Sequence, residues 1–140
     1  MSRGREGRTQ TCGEPQARAK LARAKTFLEA AELVQGETDP DFTSVAAALA
    51  VLAGIAASDA ACCASLKRRA RGPDHEEAVA LVQSVSPGGE QMARDLGRLF
   101  SLKDDAQYGV LIVPMDKAES AVAWARRLVE AARQLVLVAP

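Results

Sequence analysis

Aromatic side chains are scarce in this chain: three Phe, one Tyr and one Trp among 140 residues. Phe27, Phe42, Phe100, Tyr108 and Trp124 cannot fill a core by themselves, so the other apolar residues, many of them alanine, must do so. Alanine is the best helix former and loses no side-chain entropy on folding, which argues for tightly packed helices. Histidine is rarer still, His75 being the only one. Cys12, Cys62 and Cys63 lack a Cys-x2-Cys spacing, so neither a metal site nor a cofactor is expected. Neighbouring side chains on a helix point about 100° apart, which disfavours a bond between Cys62 and Cys63. Three reduced thiols in a reducing compartment are the simpler expectation. No apolar leader opens the chain, and its longest apolar run, residues 45–57, is too short to span a bilayer. A soluble, cytoplasmic protein is therefore expected, and the Ala, Arg and Gly bias fits a high-GC bacterial genome.

The chain has no net charge, but its charges are unevenly spread. Arg3, Arg5, Arg8, Arg18, Lys20, Arg23 and Lys25 face only Glu6 and Glu14, so the first 25 residues are basic and the remainder is acidic by the same amount. Such a segment either remains a solvated tail or attracts nucleic acid by counterion release. Residues 1–14 read as a flexible basic arm and residues 15–140 as one domain, since this length buries a single core.

From Pro15, apolar residues at Leu21, Ala24, Leu28 and Ala31 repeat at helical spacing until Gly36. Asp39-Pro40 starts a second helix, with Thr43 or Ser44 as alternative caps. Residues 45–55 are apolar on every side, which predicts burial among several neighbours and makes this helix the central post. It should run to about Arg69, before Gly72-Pro73. Asp74 with Glu77 forms a capping box for a short third helix. After the Ser86-Pro87-Gly88-Gly89 break, a fourth helix places Met92, Leu96, Leu99 and Lys103 on one face and continues to Tyr108. Val110 to Val113 reads as an extended loop, because a lone strand has no partner. Asp116 with Glu119 opens a fifth helix whose Ala118, Ala121, Val122, Ala125, Leu128, Val129, Ala132, Leu135 and Val136 face inward. The fold class is all-α, an up-and-down bundle of four to five helices.

Residues 21–33, residues 46–59 and the passage 98–109 together resemble the HEPN domain family, over about residues 15–138. The most specific part is Lys103-x4-Tyr108-Gly109. Many HEPN domains are metal-independent ribonucleases with an Arg-x4-6-His motif near this position, and dimerisation places two copies of it in one cleft. Here Lys103 and Tyr108 occupy the matching positions. That chemistry needs a neutral imidazole to take a ribose proton and a guanidinium to hold charge on phosphorus. Tyrosine, with a pKa of about 10, is a poor base at neutral pH. The resemblance therefore implies a non-catalytic module, commonly a homodimer, that binds a protein partner or nucleic acid.

A charge in the mainly apolar second helix needs a partner. Ser58 and Asp59 lie toward its end, and Lys103, on the Leu96 and Leu99 face, is the partner expected for Asp59. Tyr108 would donate to the same carboxylate, with Asp104 alongside. The cluster reads either as a polar staple or as a small pocket for a nucleotide or phosphate. Lys67, Arg68, Arg69 and Arg71 form a basic patch that complements a helix end or meets RNA phosphates. Trp124 near Arg127 reads as a core edge or a stacking platform. Arg69-x5-His75 supplies the alternative function, a metal-independent HEPN-type ribonuclease with His75 as base and Arg69 as phosphate ligand, as in the toxin of a toxin–antitoxin pair.

Overall fold

The computed structural model describes residues 8–37, 39–108 and 113–138, without the side chains of residues 40 and 104–108. Five helices form the bundle: α1 (Glu14–Gln35), α2 (Pro40–Leu66), α3 (His75–Gln83), α4 (Gly89–Tyr108) and α5 (Met115–Val138). Two short strands, β1 (Thr9–Thr11) and β2 (Arg68–Ala70), accompany them. α2 touches all four other helices, as a central post should.

Each helix follows from its local chemistry. In α1 the buried stripe is Ala17, Leu21, Ala24, Leu28 and Ala31, the three-and-four spacing of one helix face. Asp39 caps α2 by accepting the Asp41 backbone N–H at 2.8 Å, with Pro40 at the first position where a missing N–H costs nothing. Thr43 and Ser44, the alternative caps, instead clasp Val113. Thr43 Oγ1 donates to its carbonyl at 2.7 Å, and its N–H donates to Ser44 Oγ at 3.2 Å, anchoring the chain just before α5. Val113 is thus held in place, while 110–112 fall outside the described residues.

The basic arm differs from expectation. Residues 8–13 are ordered, and β1 pairs antiparallel with β2, Thr9 opposite Ala70 and Thr11 opposite Arg68. Cys12 N–H continues the ladder to the Lys67 carbonyl at 3.0 Å, and Arg71 N–H reaches the Arg8 carbonyl at 2.8 Å. Residues 1–7 lie outside the described residues. The pairing also shortens α2, which ends at Leu66 rather than near Arg69, because Lys67 turns left-handed (φ 61°) and passes the next residues to β2. The expectation of three reduced thiols is corrected as well. Cys12 and Cys63, 51 residues apart, form a disulfide with a Cα separation of 5.3 Å, and Cys62 stays free and buried.

Two capping boxes are not completed. Asp74 Oδ1 accepts from the N–H groups of Glu76 and Glu77, at 2.9 and 3.3 Å. The reciprocal bond is missing: both Glu77 carboxylate oxygens are buried without a hydrogen-bond partner among the described residues. α5 begins at Met115, where the Pro114 carbonyl accepts from Lys117 and Ala118, so Asp116 lies inside the first turn rather than at the cap. Its inward stripe matches the sequence pattern, except that Leu135 is half-buried.

The core forms where α2 meets α4 and α5. A Cβ at Gly54 would lie 2.5 Å from Leu99 Cδ1 and 3.3 Å from Leu128 Cδ1, so the glycine gives both leucines room to seat against α2. α2 is not buried on every side, however. Ala46, Ala47, Ala50, Val51 and Ala53 are enclosed, whereas Phe42, Val45 and Leu52 are 44, 46 and 44 % exposed. Residues 41–66 are long and apolar enough, by length and composition, to cross a membrane, a length the run 45–57 did not reveal. In the fold 67 % of its most apolar window is buried within the bundle.

Candidate functional site

Four helices and β2 pack against α2, and the side they leave open carries Phe42, Val45, Ala48 and Leu52 at helical spacing, with Leu49 and Ile55 half-buried beside them. A groove of about 400 Å³ runs along this side, walled by Ala48, Val51, Leu52, Ile55 and Leu102. Lys103 is its charged lining residue. An apolar wall with Lys103 as the one cation among the described lining residues suits a hydrophobic protein segment better than a phosphate chain, which needs several positive charges.

The polar cluster expected around Lys103 does not form as anticipated. Asp59 pairs with Lys20 of α1, Oδ2 to Nζ 3.7 Å, not with Lys103. Burial raises the Asp59 carboxyl above its ordinary value, and the charges of Lys20 and Arg69 only partly offset this. Ser58 is buried one residue away and hydrogen-bonds the Cys62 thiol, whose pKa is pushed up to about 12, chiefly by burial and then by the Asp59 charge. The side chains of Asp104 and Tyr108, and all of Gly109, lie outside the described residues. Asp59 thus pairs across to α1 rather than to Lys103 of α4.

The basic patch finds company that its own sequence did not reveal. The β1–β2 ladder sets Arg71 beside Arg8, with Arg69 opposite Gln10 and Arg68 opposite Thr11, and Arg69 shares a depression of about 210 Å³ with Lys20 and Arg23. Arg69 Nη2 donates to Gln10 Oε1 at 3.0 Å, and Lys67 Nζ to the Ala64 carbonyl at 3.2 Å. His75 opens elsewhere. Its imidazole stacks on Phe100 of α4, centroids 3.8 Å apart and planes 5° from parallel, in a separate depression with Val79, Gln83 and Gly97. Arg69 and His75 therefore line different cavities, and each is engaged by a structural neighbour.

One polar group escaped the sequence reading. Asp95 of α4 is 1 % exposed and receives two hydrogen bonds from Arg127 of α5, with Gln91 and Arg98 close by. Arg98 also lies over the Trp124 ring, 5.8 Å from its centroid. The signal was present, since Asp95 sits three residues after Met92 and four before Leu99, on the apolar face of its helix. Trp124 is half-buried at the edge of this network. Compared with models of known families and with curated proteins, the chain matches none.

Proposed function

We propose that this protein is a non-catalytic, HEPN-like interaction module that docks protein through the open side of α2, its first partner being a second copy of the chain. The exposed apolar row carries this reading. Its positions Phe42, Val45, Ala48, Leu49, Leu52 and Ile55 are symmetric about a point between Ala48 and Leu49. Two copies of α2 laid antiparallel across that point set Phe42 against Ile55 and Val45 against Leu52, with Ala48 at the crossing. A two-fold interface requires such self-complementarity, and a small residue at the crossing allows close helix approach. Each square ångström of apolar surface removed from water contributes about 25 cal/mol. The row gives a face with a defined register rather than scattered apolar residues.

Sedimentation of the wild-type protein beside Leu52→Glu and Val45→Glu tests the reading. Both positions are nearly half exposed, so the variants should keep the helical far-ultraviolet spectrum. The expected result is a wild-type dimer and monomeric variants. A wild type that remains monomeric at its solubility limit, or variants that dimerise equally well, would overturn the proposal.

A further inference from the structure

The Cys12–Cys63 disulfide borders the cationic depression at the other end of α2, which Gln10, Thr11, Cys12, Lys20, Arg23 and Arg69 line. Cys12 retains a sliver of accessible surface, 7 %, whereas Cys63 has none. Of the two bonded cysteines Cys12 is the one that lines the depression, so a small nucleophile arriving there reaches Cys12 first. Among the described residues, Lys20, Arg23 and Arg69 line that approach and no carboxylate does, Asp59 standing behind Lys20 as its ion-pair partner.

Attack from within the protein is suppressed. The thiolate, not the thiol, is the nucleophile in disulfide exchange, and buried Cys62 is held protonated at neutral pH. An external thiol must open the bond, and its charge decides how well it reaches the sulfur. We propose that this depression is a docking site for a small carboxylate-bearing thiol, which reduces the Cys12–Cys63 disulfide and so releases β1 from α2. The carboxylate is held by Lys20, Arg23 and Arg69 while the thiolate attacks Cys12 Sγ. The Sγ–Sγ bond breaks, a mixed disulfide forms on Cys12, and the Cys63 thiolate leaves and takes a proton. A second thiolate attacks the mixed disulfide and expels Cys12, which is protonated in turn. Two thiols have then supplied two electrons and two protons and left as their own disulfide. What then remains is a two-stranded ladder of three residue pairs with one backbone hydrogen bond beyond each end, marginal by itself in water. This mechanism is independent of the α2 docking face.

The test compares the rates at which 3-mercaptopropionate, 2-mercaptoethanol and cysteamine reduce the disulfide of the full chain, each rate divided by thiolate concentration and followed by mass after alkylation. At low salt the anionic thiol should act about tenfold faster than the cationic one, and the preference should fade in 1 M salt. Arg23→Glu, an exposed change on α1, should lower the preference about threefold. Equal rates for thiols of both signs at low salt would overturn the proposal, as would a purified chain, kept from reductants, that carries three free thiols.

Discussion

The Arg127 guanidinium grips the Asp95 carboxylate with two hydrogen bonds, Nη2 to Oδ1 at 2.7 Å and Nε to Oδ2 at 3.1 Å, and so locks α5 to α4. The acid is buried, whereas the base is about half exposed. Removing the base should therefore cost more than removing both partners, because a buried carboxylate left short of donors keeps its desolvation penalty. Arg127→Met should lower unfolding free energy by about 1–3 kcal/mol. Asp95→Leu with Arg127→Met should recover part of that in urea denaturation. Full additivity of the two single changes would contradict this account.

Asp59 contributes to stability in the opposite sense from most acids. Its folded pKa lies above the ordinary 3.8, so the folded state holds the proton more tightly than the unfolded one. The favourable contribution is complete below the unfolded pKa and lost as pH rises through the folded value. Asp59→Asn should raise Tm at pH 7, and the advantage should vanish on acidification to below pH 3.8. A variant less stable than wild type at pH 7 would show instead that the Lys20 pair outweighs the burial cost.

Gly54 and Leu99 are fitted to one another. Gly54→Ala should destabilise the bundle by about 1–3 kcal/mol through the clash with Leu99 Cδ1. Leu99→Ala alone should cost about 2–5 kcal/mol. The double variant should be more stable than the sum of the two losses predicts, since the shortened side chain vacates the space the new methyl needs.

Glu77 places two buried carboxylate oxygens where no donor meets them among the described residues. Glu77→Met keeps the stem, removes both acceptors and should stabilise by about 1 kcal/mol. Thermal unfolding at neutral pH reads this directly. A loss of stability would mean that the carboxylate is favourably placed after all.

A non-catalytic module should leave mixed RNAs intact in EDTA. His75→Ala, which removes the Phe100 stacking partner, should then change thermal stability alone. Cleavage by the wild type that disappears in this variant would restore the ribonuclease reading.

Much of the helical scaffold was legible because period and punctuation are local properties. The stripes of α1 and α5, the Asp39-Pro40 start of α2 and the Ser86-Pro87-Gly88-Gly89 break before α4 each depend on residues a few positions apart. The capping boxes at Glu77 and Asp116 were less legible, since a box needs side-chain geometry and the motif supplies only residue types. Asp95 could have been identified from its place on the apolar face, though its partner Arg127 lies 32 residues away.

What the amino-acid order determined alone was the all-α class, a count of four to five helices, their approximate ends and the inward stripes of α1 and α5, because backbone hydrogen bonding and helical periodicity act over a few residues. Tertiary structure alone decided that Cys12 meets Cys63, that Lys20 rather than Lys103 answers Asp59, and that one side of α2 stays open. These outcomes depend on how helices distant in sequence pack, and close packing fixes neighbours that no spacing along the chain records.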